Sequence, residues 1–406
     1  MIRADFVLRH AGQLATMVPT DDDPLGRIHE AALAARDGLI VWVGPDREIE
    51  RVVQLDGDLL DVRGSCVIPG LVDAHTHPVF AGVRADEFAE RVAGVPYSAQ
   101  QAAGRGIQRT VRSTRAADES SLQELVLARA QRFLEHGTTT IEAKTGYGLD
   151  LENEHKSLTV LRSLAAASPL RVVPTFLGAH VVPEGIDRKS YLSLLTEEML
   201  PAFRQLARFC DAWCDEPGFT GEETREVLGK ARSLGYELRV HAAQLGPGDG
   251  PLIAAELRAA SADHLEYASR PQIEGLVRAG TIAVLCPAAN FTVPDSVRPP
   301  IEMMREAGLP MAIASDLNPG TANSESLTFA MTLACVSWGM TPTEVLVGAT
   351  RHAARSLRLE QAGVLRVGGF ADCAVLEVER PEDIPYYVGV NRVAGTVIRG
   401  RLWPSS

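Results

Sequence analysis

Cysteine is scarce: six thiols in 406 residues, none in a C-x-x-C pair. Cys66, Cys210, Cys214, Cys286, Cys335 and Cys373 are too sparse for a disulfide framework, and this reads as reduced thiols in a cytoplasmic protein. Long apolar runs are missing too. No stretch approaches the roughly 18 apolar residues of a membrane span. The opening MIRADFVLRHAGQLATMV carries Asp5 and no apolar h-region, so it does not read as a signal peptide. Basic charge is in deficit. With 40 Lys and Arg against 52 Asp and Glu, the net charge is −12. That argues against a nucleic-acid groove or a polybasic membrane patch. It leaves room for a small anionic ligand held by a few local arginines. No G-x-G-x-x-G follows the first strand-like run of the middle region, which disfavours a doubly wound nucleotide fold.

What remains is an ordinary globular profile, 46% hydrophobic and 23% charged. Residues 1–65 read as short strands punctuated by Gly38, Gly44, Pro45 and Gly57, and residues 361–406 have the same texture. The expectation is one small β-sandwich domain built from both ends of the chain. The rival is two unrelated β appendages. Between them, residues 66–360 alternate. Strand-like runs are VIPGLVDAH, TTTIEAK, RVVPTFLGAH, CDAWCDE, ELRVHAAQ, SADHLEY, TIAVLCP and PMAIASD. Helical patterns lie between them, and most end in Gly. Eight such units predict an α/β fold with a (β/α)₈ TIM-type barrel, which needs about 250 residues.

Position is the informative feature. Most of these runs end in a chemically capable side chain. The first gives His75 and His77, the second runs into Lys144 and Tyr147, and the third ends at His180. The fifth carries His241 and Gln244, the sixth His264 and the eighth Asp316. C-terminal strand ends converge on one mouth of a barrel, so these residues are expected to be neighbours. His75 and His77 are two apart, and on a strand i and i+2 point the same way. Together with His241 and Asp316 they offer three nitrogens and one carboxylate, which suits one divalent ion, Zn²⁺ or Fe²⁺, with a position left for water. Lys144 lies on the second strand, while the fourth offers no lysine. It therefore reads as a hydrogen-bond or charge element rather than a bridge between two metals. His10, His29, His136, His155 and His352 read as surface or satisfied polar residues.

PGLVDAHTHP at 69–78, with VHAAQ, ADH and SD on later strands, resembles the amidohydrolase superfamily. Further blocks are similar to its imidazolonepropionase family: HTHPVFAGVRADEFAERVAGVPY at 75–97, EAKTGYGL at 142–149, PTFLGAH at 174–180, VHAAQLG at 240–246 and SDLNPGT at 315–321. The resemblance implies hydrolysis of the cyclic amide 4-imidazolone-5-propanoate to N-formimidoyl-L-glutamate, by a homodimeric enzyme of histidine degradation. It implies that His75, His77, His241 and Asp316 hold the metal and that Arg84 and Tyr97 receive the propionate carboxylate. Tyr147, His180 and Gln244 would contact the ring, His264 would serve beside the attacking water, and Asn318, Gly320 and Thr321 would hold the product's glutamate end. Two departures stand out. Position 244 is Gln where some members carry Glu, which moves proton transfer to Asp316 and His264. CPAANFT at 286–292 replaces an L-P-G-A type.

Chemistry agrees with that assignment. Ring opening needs a nucleophile at neutral pH, and a metal brings bound water to a pKa of about 7. Asp316 can move the proton to the leaving nitrogen, His264 can donate to the oxyanion, and the Arg84 fork matches a carboxylate. Other readings stay open. Arg84 can instead pair with Asp86 or Glu87, Tyr97 can be a packed loop aromatic, and Asn318-Pro319-Gly320 is a turn in its own right. A related deaminase or cyclic-amide hydrolase would keep the metal set but not the Arg84–Tyr97 segment. A catalytically silent barrel scaffold would lack metal.

Overall fold

A computed structural model describes residues 1–96, 99–100, 105–293 and 296–404. Tyr97 lies outside the described residues. Among these residues no helix is long and apolar enough to cross a membrane.

Two sheets organise the chain. The first is built from its ends: β1 (Ile2–Ala15), β2 (Arg27–Arg36), β3 (Leu39–Pro45), β4 (Val53–Asp61) and β5 (Cys66–Pro69), joined by β14 (Cys373–Leu376), β15 (Val393–Ile398) and β16 (Arg401–Pro404). Strand β1 is long enough to pair β2 along one edge and both β4 and β5 along the other. The order is β16-β15-β14-β5-β1-β2-β3, with β4 branching from β1. One face buries Phe6, Leu8, Leu14, Leu33, Val67 and Val375. The other buries Ala4, Val7, Ala32 and Ala34 beneath Ile49 of the helix Asp46–Val52. The pairing of β5 with β14 (Val67 opposite Val375) ties the two ends together.

The second sheet holds the eight expected strands: β6 (Leu71–Asp73), β7 (Thr138–Lys144), β8 (Arg171–Ala179), β9 (Phe209–Cys214), β10 (Glu237–Ala242), β11 (Ser261–His264), β12 (Ile282–Leu285) and β13 (Met311–Ile313). All are parallel and each pairs with its neighbour in sequence. The ring is completed just past β6 and β13. There Asp316 N donates to His75 O at 3.0 Å and His77 N donates to Leu317 O at 2.8 Å. The run VIPGLVDAH is therefore two strands. Gly70 is the joint, and a Cβ there would stand 2.2 Å from Thr139 Oγ1, so only glycine lets the chain pass from one sheet to the other.

Alternation sorts the barrel's side chains. On β10, Leu238, Val240 and Ala242 join the core under the helices, which leaves Arg239 and His241 for the lumen. On β7, Ile141 and Ala143 face that core, leaving Glu142 and Lys144 inside. The lumen is thus charged where such barrels ordinarily carry layers of branched apolar side chains. Helix ends follow the glycines: Gly280, Gly308 and Gly339 close their helices in the left-handed conformation.

Candidate metal centre and active site

The H-x-H pair leaves β6 at the barrel mouth, and His75 and His77 are both buried. Their Nε2 atoms are 3.2 Å apart. Asp316 Oδ1, from the end of β13, lies 3.4 Å from His75 Nε2 and 3.5 Å from His77 Nε2. His241 on β10 completes a group of three imidazoles whose ligand atoms lie within 4.8 Å of one another. Zinc bonds of 2.0–2.1 Å in a tetrahedron place donors about 3.3 Å apart. The spacing between His75, His77 and Asp316 has that size.

The orientation of the imidazoles is fixed from below. His75 Nδ1 donates to Asp263 Oδ2 at 2.6 Å, and Asp211 Oδ2 lies 3.0 Å from His241 Nδ1. A carboxylate on Nδ1 keeps the proton there and leaves the Nε2 lone pair for a cation. Asp211 and Asp263 are in turn held by cations. Lys144 Nζ contacts Asp211 at 2.7 Å, Glu142 at 2.9 Å and Asp263 at 3.5 Å. Arg239 reaches Asp263 at 3.2 Å and donates to Ala74 O at 2.7 Å. Lys144 is thus consumed in this network. The buried carboxylates Glu142, Asp211, Asp263 and Asp316 outnumber the buried cations Lys144 and Arg239, an acidic surplus that suits a bound cation. Burial raises the Asp316 carboxyl to about 7, and a cation beside it works in the opposite direction. Both donor geometry and charge fit a divalent metal.

The remaining expected residues gather above this floor. His77, Arg84, Tyr147, His180, Gln244, His264, Asp316, Asn318 and Thr321 line one cavity with Ile107, Trp213 and His241. His180 stacks on His77 (centroids 5.6 Å, planes 23° apart) and its Nδ1 donates to Gly146 O at 2.9 Å. Burial holds His180 and His264 down at about 3, so both are neutral. His180 therefore turns an unprotonated Nε2 to its neighbours. Tyr147 is placed by a buried carboxylate: Glu154 Oε1 accepts from the backbone N–H of Gly146, Gly148 and Leu149 at 2.8–3.1 Å. His264 (φ 75°) and Asp316 (φ 53°) both adopt the left-handed backbone that non-glycine residues avoid, strain of the kind that collects at active sites.

Two expectations need refinement. Arg84 does pair with Glu87, Nε at 2.9 Å and Nη2 at 2.7 Å, while still bordering the cavity. Gly320 packs behind the guanidinium: a Cβ there would stand 2.5 Å from Arg84 Nη1. Its carbonyl accepts from Arg91 Nη2 at 2.7 Å. Asn318 is spent largely on its own turn, with Oδ1 accepting from Gly320 N and Thr321 N at 2.8 Å each. Sequence reasoning passed over Asp211, Asp263, Glu142, Arg239, Glu154 and Trp213. The signal for the first four was present: a charged residue inside an apolar strand is tolerable only when paired.

Known proteins place the chain in a family. Residues 66–403 match the Amidohydrolase family. The chain is 44% identical to an imidazolonepropionase of Symbiobacterium thermophilum, over 98% of this chain and 97% of that one. It is 42% identical to an imidazolonepropionase of Chromobacterium violaceum, over 96% and 95%. Among solved structures, the fold is shared with Escherichia coli guanine deaminase (TM-score 0.77, 16% identity, 99% and 100% covered). It is also shared with a zinc-bound adenosine deaminase from Xanthomonas campestris (TM-score 0.75, 17% identity, 99% and 93% covered).

Proposed function

The chain belongs to the amidohydrolase family and, within it, to the imidazolonepropionases, and from that premise we infer how its residues divide the work. The activity is hydrolysis of 4-imidazolone-5-propanoate to N-formimidoyl-L-glutamate in histidine degradation, the cleavage of a C–N bond in a cyclic amide. We assign the cation, zinc or iron(II), to His75, His77, His241 and Asp316. When bound it supplies Lewis acidity, acidifying a water molecule and polarising the ring carbonyl.

The side chains do the rest. Asp316 accepts the water's proton and returns it to the departing ring nitrogen. His264, neutral and buried, keeps one N–H and donates it to the oxygen that gains charge. Gln244 cannot exchange a proton, so it orients the ring by hydrogen bonds. His180 and Tyr147, whose centroids are 5.4 Å apart, form the wall against which the ring lies, and Trp213 extends it. Arg84 takes the propionate carboxylate. Glu87 holds one edge of its guanidinium, which lowers the entropy cost of binding while weakening the net attraction. The turn at Asn318, Gly320 and Thr321 keeps that guanidinium in place, and in this reading it meets the product's glutamate end.

The observation that carries the reading is the joint one: imidazole and carboxylate donors of His75, His77 and Asp316 lie 3.2–3.5 Å apart, and His77 and Asp316 border the same cavity as a buried arginine. Arg84→Ala should raise KM for the natural substrate roughly 10- to 100-fold, the size of one charged hydrogen-bonded contact. It should leave KM for a tail-less imidazolone nearly unchanged. Equal effects on both substrates would remove Arg84 from the carboxylate site.

A further inference from the structure

Cys286 follows β12 at the barrel mouth and is fully buried. Part of its surroundings is apolar, with Val284, Ala288 and Ala314 in the same cluster. Another part is not. Donor atoms of His75, His264, Cys286 and Asp316 all lie within 4.8 Å of one another. A sulfur that only fills space has no need of two imidazoles and a carboxylate at that range. His264 adds an independent sign. Its Nδ1 is buried and has no hydrogen-bond partner among the described residues. The carboxylate near it, Glu266 Oε1, is 3.9 Å away, beyond hydrogen-bond reach.

This donor set overlaps the one described above. His75 belongs to both, and Asp316 Oδ1 reaches His75 and His77 alike. His75 Nδ1 is committed to Asp263, so only its Nε2 can bind a cation, and one lone pair binds one ion.

We propose that Cys286 Sγ is a further ligand of the single ion held by His75 and Asp316, with His264 beside it keeping its N–H for the reacting oxygen, so that the resident metal is in contact with sulfur. The inference rests on the metal-dependent reading above and deepens it. A cation deprotonates a coordinating thiol outright, and the proton leaves to solvent. Thiolate is a soft ligand that favours zinc over manganese or magnesium. Zinc bonds of 2.0–2.3 Å need donors roughly 3.3–3.8 Å apart, so closing this set on an ion takes a contraction of no more than about 1.5 Å.

The test is spectroscopic. The full chain is stripped with a chelator and loaded with Co²⁺, and bound cobalt is measured by elemental analysis on the same sample. The expected result is about one cobalt per chain with thiolate-to-cobalt charge-transfer absorption in the near ultraviolet. That absorption should be lost in both Cys286→Ser and Cys286→Ala and kept in Cys335→Ser, with unchanged circular dichroism. Cobalt bound without the thiolate band in the unaltered chain overturns the proposal and leaves the metal reading intact. A band that survives both Cys286 variants overturns it as well. A chain that takes up no cobalt at all sinks the metal reading together with this one.

Discussion

Asp263 touches no cavity-lining surface, yet it decides which nitrogen of His75 is available. Its Oδ2 accepts from His75 Nδ1 at 2.6 Å and from Arg239 Nη2 at 3.2 Å. Asp263→Asn keeps the shape but removes the charge that holds the imidazole proton. Metal affinity should fall about 10- to 100-fold, read by competition with a chelator of known affinity. The same change leaves Arg239 and Lys144 short of a buried partner, which costs on the order of 3–5 kcal/mol. An unchanged affinity would mean that His75 is oriented by packing alone. Gly320 acts through close approach. Gly320→Ala should push Arg84 Nη1 away and raise KM in the manner of Arg84→Ala while leaving metal content unaltered. A variant with wild-type KM would show that the guanidinium has room to give.

At the scale of elements, one rule explains why charges sit in the middle of strands. Period-2 alternation sends Leu238, Val240 and Ala242 to the helices and Arg239 and His241 to the lumen. The strand stays continuous only because each lumen charge finds an opposite one. The outer layer is held by different means. His352, in the segment Gly348–His352 packed on β13, donates Nδ1 to Met311 O at 3.0 Å. Burial lowers it to about 4 from its ordinary 6.5. The folded state therefore binds fewer protons than the unfolded chain below about pH 6.5. Stability from this group is present above that pH and drains away as pH falls toward 4. Thermal melts at pH 7 and pH 5 should show a smaller acid-induced drop for His352→Gln than for the unaltered chain. Parallel drops would assign the acid sensitivity to other groups.

Across the whole molecule, the proposed metal centre doubles as a cross-link. The proposed ligands come from the ends of β6, β10 and β13, so a cation held by them would tie the first barrel strand to the fifth and the last. Binding to the folded chain alone adds to stability by mass action. Chelation should abolish activity and lower Tm by several degrees, and zinc should restore both. Loss of activity with no change in Tm would argue that the ion stabilises the reaction and not the fold.

The strands and their reactive ends were legible from residues alone, because apolar period and punctuation are local properties. Thus His75, His77, His241, His264 and Asp316 could be marked before any coordinates. The break at Gly70 was not legible, since VIPGLVDAH is equally apolar on both sides of it, and only the neighbouring Thr139 and β14 show where one sheet yields to the other. Nor was the pairing of Asp263 with His75, 188 residues apart, or the loop clamp made by Glu154. Sequence by itself determined which reactive side chains stand at the strand ends where the proposed chemistry takes place. Tertiary structure decided how those side chains are oriented and charged, because orientation and charge depend on neighbours that only barrel closure brings within hydrogen-bonding distance.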